Sequence, residues 1–145
     1  MSVTASLAEA HIGYIKRLRE DDTVTDLIVR VVNAYPKDLL VKPVATELPV
    51  IAVHTPQRIQ LSDAPPKLWL QTDTLVWPAD DVGGLSVLNA IDNAVLDLFM
   101  DGDSARTWSY TRNGVTDYFS SVCIRASDPM EKVLRRTRLW EVTEA

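Results

Sequence analysis

The sequence predicts an α+β fold: a mixed, mostly antiparallel sheet of about five or six strands with two main helices packed on it. The expected order is α-β-β-β-α-β-β-β. Three observations carry this expectation. Two stretches repeat apolar residues at helical spacing, Lys67 to Trp77 alternates at the spacing of a strand, and Asn113-Gly114 stands between two further alternating runs.

In the first helix Leu7, His11, Ile12, Ile15 and Leu18 form the apolar side, while Glu9, Lys16, Arg17, Arg19 and Glu20 fall largely opposite. Ser6-Leu7-Ala8-Glu9 fits a capping box, in which hydroxyl and carboxylate each satisfy a free amide at a helix start. Asp21-Asp22-Thr23 offers a stop and a fresh N-cap for a short turn through Leu27. An amphipathic helix of this length is marginal alone and needs a sheet to cover.

Strands follow at Val29–Val32 and Val50–Val53, the second bounded by Pro49 and Pro56. From Lys67 to Trp77, Leu68, Leu70, Thr72, Thr74 and Val76 share one face; Trp69, Gln71, Asp73, Leu75 and Trp77 share the other. The stretch Gln57–Pro66, with its Pro65-Pro66 pair, reads as a projecting loop or an irregular hairpin.

The second helix is expected from Gly83 to Met100. Its apolar stripe is Leu85, Leu88, Ile91, Val95, Leu98 and Phe99, with Asn89, Asp92, Asn93 and Asp97 mostly turned away. Asp80 or Asp81 caps its start, and Gly102 suits the left-handed position past its end. Trp108–Arg112, Asn113-Gly114 and Val115–Arg125 then predict a hairpin, since a type I′ turn needs positive φ at both central residues. Ser127-Asp128-Pro129 makes the next turn and Val133–Val142 the last strand.

The 145 residues suit one domain, 1–145, and the composition, 46% hydrophobic and 24% charged, is that of an ordinary globular chain. No stretch is apolar enough for a membrane span, and the N-terminal stretch has no basic region before an apolar run, so no secretory signal is expected. The single cysteine, Cys123, excludes an internal disulfide and a multi-cysteine zinc site. Fifteen Lys+Arg against twenty Asp+Glu give a net charge of −5, which argues against a dedicated nucleic-acid binder.

Enzyme motifs are absent: no G-x-S-x-G elbow, no phosphate-cradling G-x-x-x-x-G-K-[ST], no G-x-G-x-x-G. His11 lies on the apolar side of the first helix and reads as a half-buried structural residue. His54 ends a strand with no acid or nucleophile pattern beside it. Cys123 falls mid-strand and reads as a buried, inert thiol. Asp101-Gly-Asp103 starts like a calcium loop, but Arg106 stands where the loop needs glycine, so a helix-ending turn is expected. No catalytic residue, metal site or cofactor is expected.

Charge placement is the remaining oddity. Residues 1–100 hold eight Lys+Arg and thirteen Asp+Glu, the whole of the −5, whereas residues 101–145 hold seven of each. Lys132, Arg135, Arg136 and Arg138 crowd into one strand, Arg136 and Arg138 sharing a face with Trp140, Arg135 sharing the other with Leu139. Three readings stand: a solvated edge strand charged against aggregation, an interface with an acidic partner such as a second copy, and direct DNA contact.

As a whole the pattern resembles the tail terminator (tail completion) proteins of long-tailed bacteriophages. The resemblance rests on the helix ending "LREDDTVTDLI", the strand "VRVVNAYP", then "ELPVIAVHTP" with Leu48-Pro49-Val50. It continues through "LWLQTDTLVWPADDVGGLSVLNAIDNAVLDLF", a closing hairpin and "LRRTRLWEV". It implies a mixed α/β structural protein, not an enzyme, without cofactor. Such proteins form a ring, typically of six copies, on the last ring of the tail tube, stop its polymerisation and present the surface that docks onto the head.

The implied partners are other copies of the chain, the tail tube protein and a head completion or connector protein, with DNA passing through the lumen unbound and no membrane involved. The implied location is the head-proximal end of the virion tail, after synthesis in the host cytoplasm. On this reading acidic positions face the lumen and repel phosphates, and Lys132, Arg135, Arg136 and Arg138 meet an acidic surface of the next subunit. Arg58, Ile59 and Leu61 in the projecting loop then contact the tube or a neighbour. Two alternatives remain: another neck or head–tail connector protein, and a monomeric ligand-binding α+β module with Trp69, Trp77, Tyr110 and Tyr118 lining a pocket.

Overall fold

A computed structural model describes residues 3–33, 48–61, 63–76, 82–128 and 134–145. The elements are α1 (Val3–Glu20), α2 (Asp22–Thr25), β1 (Arg30–Asn33), β2 (Val50–Val53), β3 (Gln57–Ile59), β4 (Lys67–Val76), α3 (Val82–Phe99), β5 (Met100–Asp101), β6 (Ser104–Arg112), β7 (Val115–Ser127) and β8 (Leu134–Glu144). The fold is mixed α+β, as the sequence predicts, with an open, mostly antiparallel sheet. Among the described residues the sheet has eight strands rather than five or six, because the short pieces β3 and β5 carry no apolar run that marks a strand.

The sheet order is β1-β2-β4-β8-β7-β6-β5, with β3 beside the first part of β4. Among the described residues only β1 and β2 run parallel, Val31 lying opposite Ile51. Alternation in β4 falls as its sequence dictates: Leu68 and Leu70 face the helices, together with Trp140 and Val142 of β8. Asn113 (φ 50) and Gly114 (φ 79) both take positive φ, closing the β6–β7 hairpin with Arg112 opposite Val115. Gly102 (φ 61) ends the α3 region in the left-handed conformation, in the turn between β5 and β6. Within the predicted loop, Gln57–Ile59 pairs with Lys67–Trp69 as a hairpin arm, Arg58 lying opposite Leu68.

The main core lies between the helices and one face of the sheet. Tyr14 of α1 stacks on Phe99 of α3 at 3.8 Å between ring centroids, and Trp108 and Trp140 meet that pair at edge or tilted angles. Both indoles are satisfied inside: Trp140 Nε1 donates to Thr72 Oγ1 at 3.0 Å, and Trp108 Nε1 to Ser121 Oγ at 3.0 Å. On the other face Leu48, Val50, Ala52 and Leu75 form a smaller cluster to which neither long helix contributes.

Several expectations need correction. Helix α1 already runs at Val3, so Ser6 lies inside it and is no N-cap; Glu9 instead pairs with Arg112 at 3.0 Å. Ile12 and Leu85 stand exposed although the helical stripe includes them, and Tyr14 takes the central core position on α1. Asp92 is buried rather than turned away from the core. Asp21 does cap α2, accepting from the Val24 amide at 3.0 Å. The proposed caps Asp80 and Asp81, and Trp77, lie outside the described residues.

Candidate functional site

Strand β8 is central, flanked by β4 and β7, which removes the edge-strand reading of its basic run. Its charges divide between the two faces because strand side chains alternate. Arg136 and Arg138 point toward α3, Arg135 away from it, and Lys132 lies outside the described residues.

On the helix side the carboxylates that Arg136 and Arg138 meet belong to the same chain. Arg138 binds Asp92 through two contacts of 2.7 Å, and Arg136 adds a third at 3.2 Å. Arg136 also holds Asn89 at 3.0 Å and grips Asp128 at 2.9 and 3.0 Å. The bond to Asp92 chiefly raises the pKa of Arg138 above the ordinary guanidinium value, against the opposing effect of burial. The bond to Asp128 does the same for Arg136 and lowers the Asp128 carboxyl in turn. These charges tie β8 to α3. A charge reversal at Arg136 would set a new carboxylate against buried Asp92.

Cys123 sits half-buried at the border of this cluster, 3.4 Å from an Arg138 nitrogen and 3.1 Å from the Arg125 carbonyl. It lies beside an irregularity in the β7–β8 register between Cys123 and Arg125, where Ile124 is exposed.

On the other face the fully buried carboxylate of Asp73 gathers three donors. His54 Nε2 lies 2.6 Å from Oδ2, Gln71 Nε2 donates to the same oxygen at 3.3 Å, and the Thr137 hydroxyl donates to Oδ1. Arg135 Nε stands 4.0 Å from Oδ1. The acid that accompanies His54 is thus nineteen positions away, brought in by the β2–β4 pairing in which the His54 amide donates to the Gln71 carbonyl. A histidine oriented by a buried carboxylate has the geometry of a general base. The Thr137 hydroxyl is committed to Asp73, however, and so presents no nucleophile to that histidine. A carboxylate in the middle of an alternating strand is the signal that marks Asp73 in the sequence.

The loop candidates meet at the β3–β4 hairpin. Arg58 is exposed and bonds Gln60 at 2.9 Å, Leu61 is 61% exposed, and Ile59 is half-buried. Ile59, Leu61, Pro65 and Pro66 line a groove that runs to Glu141 and Glu144 of β8. Lys67 pairs with Glu141 across its floor at 3.2 Å. His11 is half-buried on α1, and burial holds its pKa below the ordinary histidine value, with a bond to Asn33 acting the other way.

Among the described residues no group of His, Cys, Asp and Glu side chains is placed to hold a metal ion, and no helix is long and apolar enough to cross a membrane. The aromatics proposed to line a pocket are dispersed: Tyr110 is buried under α1, Trp69 is half-buried on the opposite face and donates to Glu141, and Tyr118 is exposed. Neither the models of known protein families nor the curated proteins compared with this chain match it.

Proposed function

We propose that the protein is a tail-terminator-like structural subunit that forms a ring on the end of a phage tail tube, stops its growth and offers the docking surface for the head. The observation that carries this reading is the one-sided architecture. Both long helices cover one face of the sheet, and the β3–β4 hairpin carries exposed Leu61 and Arg58 above an apolar groove. Exposed large apolar groups beside a groove mark a surface for protein contact. Ring closure needs two different patches on each copy, and this hairpin supplies one of them.

With Arg136 and Arg138 engaged by Asp92 and Asp128, the hairpin residues Arg58, Ile59 and Leu61 take over as the leading contact residues. Asp97, Asp101 and Asp103 are exposed acids that repel phosphate, in keeping with DNA passing unbound.

The test is the mass of the purified protein alone and with tail tubes, followed by particle imaging. A closed ring capping tube ends is the expected result, and Leu61→Asp should abolish capping while leaving the monomer folded. A strict monomer that ignores tubes would overturn the reading.

A further inference from the structure

The C-terminal half of α1 packs over β6 on the helix-covered face of the sheet. Gly13 permits this approach, since a Cβ there would stand 2.9 Å from both Cβ and Cγ of Tyr110. Across the two-residue Asn113-Gly114 turn, Arg112 and Val115 form the closing hydrogen-bonded pair, and such pairs alternate along an antiparallel ladder. Arg112, Tyr110 and Trp108 therefore direct their backbone groups to β7, and Thr111, Ser109 and Thr107 direct theirs outward. Lys16 Nζ reaches the Thr111 carbonyl from that outer side at 3.4 Å. Strand β5 pairs only with Ser104 and Ala105. The backbone groups of Thr107 and Ser109 thus stand at an unpaired edge among the described residues.

A cleft of about 460 Å³ runs beside this edge, with Lys16 and Arg17 on one side, Ser109 and Thr111 on the other, and Glu20 and Asp21 at one end. The two acids are already occupied, Glu20 by Lys16 at 3.7 Å and Asp21 by the cap of α2. Arg17 Nε binds the Leu98 carbonyl at 3.4 Å, and Arg106 Nε the Met100 carbonyl at 3.1 Å, where the carbonyls ending α3 attract cations. Each guanidinium keeps its terminal nitrogens, and among the described residues neither has a carboxylate at ion-pair distance. Burial first and the charge of Arg106 second hold the pKa of Arg17 below its usual value, partly offset by Asp21. Two half-buried like charges with no ion pair among the described residues attract an anion.

We propose that this edge is a strand-addition site: an extended segment of a partner protein pairs with Thr107 and Ser109 and sets a carboxylate side chain against Arg17 and Arg106. Main-chain pairing supplies affinity, and the two guanidiniums supply selectivity for an acidic segment.

The probe is a capped peptide of about ten residues, alternating threonine and valine around one central glutamate, which is long enough to cover the edge. Its counterpart with a central lysine is the control, and amide hydrogen exchange is followed by NMR. The glutamate peptide should slow exchange at Thr107 and Ser109 by about tenfold, and the lysine peptide should not. The Arg17→Gln/Arg106→Gln variant should lose the difference between the peptides. Ser109→Pro removes an outward amide but no bond to β7, and should abolish protection. If that variant fails to fold, the double arginine variant carries the test alone. Unchanged exchange at Thr107 and Ser109, or equal protection by the two peptides, overturns the proposal.

Discussion

Arg138 holds Asp92 at two points, Nε to Oδ1 and a terminal nitrogen to Oδ2, both at 2.7 Å, across the junction of β8 and α3. The Asp92 side chain is only 6% exposed and Arg136 reaches it as well. Removing one partner of such a buried pair leaves the other charge uncompensated, which costs more than the pair contributes. Asp92→Asn is therefore expected to destabilise the fold by about 3 kcal/mol, read as a lower urea midpoint. An unchanged midpoint would mean that both arginines find water instead.

Asp128 gives a pH dependence of definite sign. The hydrogen bond from Arg136, aided by the charges of Arg136 and Arg138, holds its carboxyl below the ordinary aspartate value, with burial opposing. A depressed folded pKa contributes stability that is present above the unfolded value and lost as pH falls through the folded one. The side chain is half exposed, so solvent screens the effect. The stability gap between the wild type and Asp128→Asn should narrow as pH falls from about 5 through and below the ordinary aspartate range. A gap that stays constant over that range in urea titrations would disprove the linkage.

Local chemistry made much of the fold legible. Asn113-Gly114 announces its own turn, and the β4 alternation places every side chain from Leu68 to Val76 on its face. What escaped was long-range pairing of polar groups. Asp92 reads as an outward residue because charge is taken as a sign of solvent, and only β8 in place shows two arginines awaiting it. The same holds for His54, whose partner Asp73 lies across a strand pairing that no local pattern reveals. The short strands β3 and β5 carry no periodicity of their own and exist because a neighbour offers an edge.

Gly13 sets two effects against each other. Alanine gains about 1 kcal/mol of helix propensity over glycine. Its Cβ, however, would press on Tyr110 at 2.9 Å, with Trp108 another neighbour at 3.2 Å. Overpacking of a tight core costs about 1–3 kcal/mol, so the clash outweighs the propensity. Gly13→Ala should lower the melting temperature, and Tyr110→Ala in the same chain should recover the propensity gain relative to Tyr110→Ala alone. A Gly13→Ala protein more stable than wild type would show that α1 can shift freely away from β6.

Asp73 makes the sharpest test of the opposite face. Its carboxylate is fully buried and depends on His54, Gln71 and the Thr137 hydroxyl for its hydrogen bonds. Thr137→Val keeps the shape and removes one donor, leaving Oδ1 with Arg135 at 4.0 Å as its nearest charged neighbour. An acceptor stripped of its partner costs about 1–3 kcal/mol, more when it is charged. Thr137→Ser restores a hydroxyl at the same place and should recover most of the loss. If valine melts like wild type and serine is the destabilised variant, the methyl packing of Thr137 matters and its hydroxyl does not. If only serine rescues, the bond to Asp73 is what holds β8 against β4 on this face.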